Sequence, residues 1–417
     1  MVYVLDFNGQ PLMPTCRYGK VRRLLKQGKA KVVKRCPFTI QLLYDSTTYT
    51  QPVTLGVDAG AKHVGLSATT DTKELYSGEV LLRTDVVSNL SSRLQFRRTR
   101  RNRKTRYRQA RFTNRVRTKH KGWLAPSIKN KIHTHIVAIS KIYNLLPITK
   151  LVVEVASFDT QLLKATELEL PKPQGTDYQQ GDMLGFWNVR QYVFFRDDYT
   201  CQHCKGKSKD KILNVHHIES RKTGGNAPNN LVTLCETCHN KLHKGLLKNF
   251  KPTRGKSFRE AVFMGIMRWS LYNRLKELYP NVNTAYGYIT KNTRITHGLD
   301  KSHRVDARCI TGNPTATPCK EYFLQKKTRC HNRQIHKATV GKGGYRKLNQ
   351  TDYITKGFRL FDKVLYNDIE CFIFGRRATG YFDVRLLSGE KLSTGVSYKK
   401  LELLETRKNL LIERKVV

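Results

Sequence analysis

Two cysteine pairs, Cys201-x-x-Cys204 and Cys235-x-x-Cys238, and the histidines interleaved with them, His216-His217 and His239-x-x-x-His243, concentrate metal-ligating side chains in one short segment. Two such knuckles can close a tetrahedral thiolate zinc site, which lets a segment too small for a large core fold stably. In a reducing compartment the paired spacing favours metal over disulfides, and the scattered Cys16, Cys36, Cys309, Cys319, Cys330 and Cys371 read as ordinary thiols. Zinc accounts for the cysteines but not for the histidines. His239 and His243 share one helical face and could hold a second metal together with His216. His217, the next residue along a strand, points to the opposite side.

A second constellation is dispersed: Asp58 in LGVDAG, Glu154 in LVVEVA, and His303 and Asp306 in HRVDA. Singly, each has an ordinary explanation, since a strand-end Asp is commonly a turn residue and a lone Glu can mark an edge position. Together they place carboxylates on apolar strands, where an unpaired charge is costly and a metal ion would justify it.

The elements that must position these groups follow from periodicity. VTLGVDAG (53–60), HVGLSATT (63–70) and ELYSGEVLL (74–82) predict three short strands. After Pro126, a helix carries Ile128, Ile132, Ile136, Ile139 and Tyr143 at helical spacing, and the buried-type strand KLVVEVASFD follows it. Residues 161–183, polar with Pro and Gly, predict a linker. A helix starts at the capping box Ser257-Phe-Arg-Glu260, NTAYGYIT (283–290) predicts a strand, and residues 300–310 a short helix. At the N-terminus, VYVLD and FTIQLLY flank a basic helical stretch that Gly28 ends, giving a small α/β unit. Beyond about residue 316, a basic arm gives way to short strands spaced like those of a small barrel.

The 417 residues carry 77 Lys and Arg against 32 Asp and Glu, a net +45 that calls for a polyanionic partner. Residues 93–118 hold Arg93, Arg97, Arg98, Arg100, Arg101, Arg103, Arg106, Arg108, Arg111, Arg115 and Arg117 and no carboxylate. As a helix this would be a basic rod of roughly 40 Å, suited to lie along a phosphate backbone. No stretch approaches a membrane span and the N-terminus does not resemble a signal peptide, so a cytoplasmic protein with no membrane partner is expected.

Residues 201–243 resemble the HNH, or ββα-metal, nucleases. The resemblance implies that His217 is the general base, that His216, His239 and His243 hold one Mg²⁺ at the scissile phosphate, and that Asn230 braces the loop. Asp58, Glu154, His303 and Asp306 resemble the RuvC-type, RNase H-like site, which implies two Mg²⁺ held by the three carboxylates with His303 assisting. The order of these modules, with PLMP at Pro11 to Pro14, is similar to that of the IscB family and of the CRISPR type II effectors. Its implied architecture is an α/β multidomain chain: N-terminal PLMP domain (1–50), first RuvC segment (51–90), Arg-rich bridge helix (91–125), second RuvC segment (126–160), linker (161–183), HNH nuclease with zinc knuckles (184–250), third RuvC segment (251–315), and a basic arm with an SH3-like β-barrel (316–417). The chain departs from relatives in reading Asp58-Ala59-Gly60 where proline often stands in the middle, and it has space for only one helix between the Arg-rich rod and Glu154.

The function so implied is RNA-guided double-strand DNA cleavage by a protein monomer in a ribonucleoprotein with a guide RNA (ωRNA). The HNH site would cut the guide-paired strand and the RuvC site the displaced one. A short flanking DNA motif would be read by the C-terminal region, where Arg376, Arg377, Tyr381 and Tyr398 alternate. Two rival readings are an unguided HNH/RuvC-type endonuclease, distinguished by cleavage without RNA, and a structural RNA-binding protein, in which His217→Ala would change nothing.

Overall fold

The computed structural model describes residues 1–102, 122–155, 189–220, 228–247, 250–254, 259–329, 339–340, 342–343, 345–347 and 351–416. The chain divides into two compact units, Met1–Phe158 with Met267–Val417, and Asp159–Ile266. The second unit is thus an insertion in the first.

The first unit opens with β1 (Tyr3–Leu5), α1 (Tyr18–Lys26), β2 (Ala30–Lys34) and β3 (Thr39–Leu42). The strands form a sheet in the order β1-β3-β2, over a core of Val2, Val4, Val21, Ala30, Ile40 and Leu42. Gly28, at φ +66°, adopts the left-handed conformation that ends α1.

The central sheet holds seven strands. β4 (Thr54–Ala59), β5 (His63–Thr69) and β6 (Glu74–Leu81) run as an antiparallel meander. β7 (Lys150–Val155) pairs parallel with β4, and β10 (Val282–Tyr286) parallel with β7. On the far side β11 (Glu321–Lys327) joins β6 in parallel, and β19 (Leu410–Val416) closes the edge antiparallel to β11. The full order is β10-β7-β4-β5-β6-β11-β19. The near-continuous burial of β4, β5 and β7 explains their unbroken apolar runs, as for strands covered on both faces.

Besides α1, five helices among the described residues belong to this unit or lead into it: α2 (Val86–Asn102), α3 (Pro126–Tyr143), α6 (Arg259–Leu278), α7 (Gly287–Thr296) and α8 (His303–Ile310). Ser302 caps α8, its Oγ accepting from the Val305 amide at 3.3 Å. α8 packs so closely on the meander that a Cβ at Gly56 would lie 2.1 Å from the Ala307 carbonyl oxygen, and one at Gly65 only 1.8 Å from that of His303.

Three sequence expectations change. The strand expected over 283–290 ends at Tyr286, and Gly287 begins α7; a Cβ there would sit 3.2 Å from the Glu154 carboxylate. The arginine-rich helix starts at Val86, ahead of the expected residue 91, and is described as far as Asn102. The buried stripe of α3 runs through Ile128, Ile132, His135, Ile139 and Ile142, so His135 and Ile142 take the places expected for Ile136 and Tyr143. The linker over 161–183 and the residues Arg103 to Arg117 lie outside the described residues, as do Ser257 and most of the basic arm.

After a short hairpin, β12 (Thr339–Val340) with β13 (Arg346–Lys347), come β14 (Lys363–Tyr366), β15 (Ile369–Arg376), β16 (Tyr381–Arg385), β17 (Lys391–Ser397) and β18 (Glu402–Glu405). These last five form an antiparallel sheet in the order β17-β16-β15-β14-β18, bent by irregularities at three of its pairings. Alternate residues such as Phe382 and Val384 point into its core beside Ile373 and Val396.

The second unit has α4 (Val189–Arg196), a hairpin of β8 (Leu213–His217) and β9 (Leu231–Cys235), and α5 (Glu236–His243). Its core is Cys201, Val232, Leu234, Cys235 and Cys238. Three of those five are cysteines, a composition that a metal staple would complete.

Candidate active sites

In the second unit the four cysteine sulfurs all lie within 4.8 Å of one another, with Cys204 Sγ 3.8 Å from Cys235 Sγ. Ser208 Oγ reaches both of these sulfurs at 3.2 Å, and His203 Nδ1 reaches Cys238 Sγ at 3.3 Å. Burial alone would raise the Cys204 thiol, but hydrogen bonds led by Ser208 outweigh it and bring it down to about 6, into the range where thiolate is available to a metal. Four converging sulfurs fit a structural zinc site.

His216, His239 and His243 form the other cluster, their ring nitrogens likewise within 4.8 Å of one another. His216 comes from β8, while His239 and His243 sit one turn apart on α5. The three rings meet edge to face, centroids 4.5–5.3 Å apart, and the Nε2 atoms of His239 and His243 are 3.2 Å apart. Burial first, and then the neighbouring imidazoles, push His216 down to about 4; His239 is lowered for the same reasons. Neutral imidazoles with converging lone pairs are what a divalent cation binds.

His217 follows His216 on β8, paired with Leu231 across the hairpin. The turn beyond it is clamped by the buried Asn230, whose Oδ1 accepts from the Glu219 amide at 2.8 Å and whose Nδ2 donates to the Glu219 carbonyl at 3.1 Å. The Ile218 amide donates to the Asn230 carbonyl at 2.9 Å. One side chain thereby ties the end of β8 to the start of β9.

In the first unit Asp58 lies on β4, Glu154 on the adjacent β7, and His303 and Asp306 on α8. They are neighbours, but their ligand atoms do not form one cluster within 4.8 Å; each acid turns to its own cationic partner. His303 Nδ1 meets Asp58 Oδ2 at 2.6 Å, Arg268 donates to Glu154 Oε1 at 3.0 Å, and Arg294 Nε lies 3.1 Å from Asp306 Oδ1. That last contact is an ion pair without hydrogen-bond geometry, so Asp306 Oδ1 keeps an acceptor that no donor fills among the described residues. Burial, then the charge of Asp58, raises Glu154 to about 7 against the pull of Arg268. Asp306 is raised by the same two causes. The hydrogen bond to Asp58 raises His303. Mutually repelling buried carboxylates with an unfilled oxygen acceptor suit a hard divalent cation.

Sequence reading missed four residues here. Arg268 also donates to the Ala59 carbonyl at 3.0 Å, joining β4 to β7. Arg294 comes from α7, a helix the sequence did not reveal. His63 stacks on His303, with centroids 5.1 Å and planes 9° apart, and its Nδ1 meets Glu79 Oε1 at 2.6 Å. The only signal was the charge on otherwise apolar strands at Glu79.

Of the predicted phosphate-binding arginines, Arg93 and Arg97 lie on α2 within the described residues; the side chains of Arg98, Arg100 and Arg101 do not. Residues 97–101 read Arg-Arg-Thr-Arg-Arg.

Two protein-family models match the chain: one described as RRXRR protein over residues 2–181, and one described as HNH endonuclease over residues 201–245. No curated protein sequence matches. Among solved structures, Streptococcus thermophilus Cas9 in complex with the AGAA PAM is 14% identical, with 46% of this chain and 26% of that chain covered and a TM-score of 0.29. The same protein with the AGGA PAM is 14% identical, covering 54% and 31%, at a TM-score of 0.31. The type II-C Cas9 from Actinomyces naeslundii is 13% identical, covering 63% and 60%, at a TM-score of 0.20. The chain spans less than two thirds of each.

The thiolate cluster, the ββα histidine cluster and the matching family model mark residues 201–245 as an HNH endonuclease module with the donor sets of a metal-dependent nuclease. The region that matches the RRXRR model precedes that module in the same chain.

Proposed function

We propose that this chain is an RNA-guided endonuclease that cuts both strands of a DNA duplex, the strand paired to the guide at the histidine site and the displaced strand at the carboxylate site. The observation that carries the reading is the insertion of the ββα unit between β7 and β10 of a sheet whose neighbouring strands and covering helix bear Asp58, Glu154 and Asp306. An antiparallel meander followed by two parallel strands, in the order β6-β5-β4-β7-β10, supports an RNase H-like, RuvC-type domain split by the insertion.

At the histidine site His216, His239 and His243 would hold a divalent cation, which would supply charge relief on the scissile phosphate. His217, on the other face of β8, takes the proton of the attacking water, and Asn230 holds the turn that fixes its direction. At the carboxylate site Asp58, Glu154 and Asp306 would hold Mg²⁺ to the same end. There His303, oriented by Asp58, orients or deprotonates water, while Arg268 and Arg294 compensate the acids.

The arginine-rich helix, read as a bridge helix, holds the guide backbone, and base pairing selects the target. The five-stranded C-terminal sheet, read as an SH3-like barrel, reads a short flanking motif with Arg376, Arg377, Tyr381 and Tyr398. The site of action in this reading is the cytoplasm, with the protein a monomer in a ribonucleoprotein.

The test is cleavage by the native ribonucleoprotein before and after ribonuclease, with strand-labelled duplex matching the bound RNA. His217→Ala and Asp58→Ala should leave nicks in opposite strands. Cleavage that survives ribonuclease replaces this reading with an unguided HNH/RuvC-type endonuclease, and full activity of His217→Ala replaces it with a structural RNA-binding role.

A further inference from the structure

The first unit contains a cavity of about 410 Å³ that neither nuclease site uses. It lies where β6 leads into α2, where β11 ends, and beside β15 and the loop before β19. Its volume falls in the range of small-ligand pockets. Five cationic side chains line it, Arg83, Lys326, Lys327, Arg329 and Arg407, against the single carboxylate of Asp85. That carboxylate is committed: Arg83 holds it by two hydrogen bonds of 2.8 and 2.9 Å, and Asn89 by a third of 2.7 Å.

The other cations are crowded and partly dehydrated, with Lys326 donating to the Leu387 carbonyl at 3.2 Å and Arg407 to the Arg329 carbonyl at 2.6 Å. Lys327 is buried. Burial, and then Arg385, lowers Lys326; burial, and then the charges of Arg83 and Arg407, lowers Arg329. Cations gathered this closely are relieved by an anion.

The rest of the wall is Leu82, Thr84, Asn89, Thr328 and Leu360 with two aromatic rings, Phe361 and Phe374. Phe361 and Phe374 meet edge to face, centroids 5.4 Å apart at 89°. Lys326 Nζ stands 5.5 Å from the Phe374 centroid, and the Arg407 guanidinium 5.7 Å from that of Phe361. A ligand that satisfies both surfaces has an anionic group and a flat apolar one, the description of a nucleoside 5′-phosphate. Asn89 places α2 at the rim, and about 12 Å further along that helix begins the run Arg97-Arg98-Thr99-Arg100-Arg101. A strand leaving the pocket therefore meets the arginine-rich helix within about two nucleotides.

We propose that this cavity receives one unpaired nucleotide of a bound nucleic-acid strand, its base against Phe361 and Phe374 and its phosphate on the surrounding cations. The inference rests on the reading of this chain as a strand-guided nuclease, and it adds a fixed point that sets the register of that strand on the protein.

The test is photo-crosslinking of the full chain to single-stranded RNA carrying 5-bromouridine, with peptide mapping, beside parallel arms with bromodeoxyuridine DNA of the same sequence and free 5-bromouridine monophosphate. The expected result is an adduct on Phe361 or Phe374 from a strand, with free nucleotide giving less than a tenth of it. A stronger RNA arm assigns the nucleotide to the guide; a stronger DNA arm assigns it to the substrate. Arg329→Gln with Arg407→Gln should lower the pocket adduct about tenfold, the loss of roughly one charged hydrogen bond, while adducts elsewhere and the thermal midpoint hold. Adducts only outside the pocket, or equal labelling by the free nucleotide, overturn the proposal. Cleavage before and after ribonuclease is scored on the same preparation: survival overturns the guided reading alone, and an unlabelled pocket in a ribonuclease-sensitive enzyme overturns the pocket alone.

Discussion

His135 should make the first unit acid-labile, because its burial disfavours the charged imidazole. The side chain is fully buried on α3; its Nδ1 donates to the Lys131 carbonyl at 2.8 Å, and its Nε2 has no hydrogen-bond partner among the described residues. Burial pushes it from an ordinary 6.5 down to about 4. The unfolded chain therefore takes up a proton that the folded one refuses. This contribution to stability is fully present above pH 6.5 and is lost as pH falls towards 4. At about 1.4 kcal/mol per pH unit the full loss is about 3 kcal/mol, of which about 2 kcal/mol is reached by about pH 5. A chain of two units does not unfold in one step, so the probe must belong to the first. In a Trp187→Phe background the remaining indoles, Trp123 and Trp269, both report that unit. Urea unfolding is followed by their fluorescence at about pH 8 and pH 5, with and without His135→Leu, which is close in volume and does not titrate. The stability lost between the two pH values should be about 2 kcal/mol smaller in the leucine variant. Equal losses in both proteins would refute the argument and show that His135 is protonated in the fold or hydrated by an opening of α3.

Other consequences can be checked independently. Cys235→Ser should release zinc, measured by mass spectrometry of the metal, and should make the second unit protease-sensitive while the fluorescence of the first is unchanged; a zinc-free protein with an intact second unit would refute the staple. His216→Ala should weaken Mn²⁺ binding in calorimetry by tenfold or more, whereas His217→Ala should bind Mn²⁺ normally yet cut the guide-paired strand about 10²–10⁴ times more slowly. His63→Ala should slow scission of the displaced strand while His63→Phe, which keeps a flat ring against His303, restores it; equal defects would exclude positioning by stacking.

How far the sequence could be read depended on how far apart the interacting groups lie in it. The zinc knuckles and the His239/His243 pair were legible because a metal set and a helical turn impose local spacing. The central meander was legible because its strands are covered apolar runs between turns. Arg268 and Arg294 were not, since a cation's partner leaves no periodic trace: Arg268 meets a glutamate 114 positions earlier. The end of β10 was misjudged because Tyr286 and Tyr288 continue a strand-like alternation across Gly287, whereas in the fold their rings stack over the start of α7, centroids 6.1 Å apart.

The interruption of the central sheet also bears on synthesis. β7 pairs with β10 in parallel register, Glu154 opposite Ala285, yet the whole second unit is encoded between them. On the ribosome β7 must wait, with an open hydrogen-bonding edge, while roughly 130 residues are added, on the order of 10 s at bacterial-type elongation rates. An apolar strand exposed for that long invites aggregation. Rapid metal-assisted folding of the inserted unit would shorten the span over which the two strands must find each other, so zinc supply during translation should influence the yield of the first unit, which holds none of the zinc ligands.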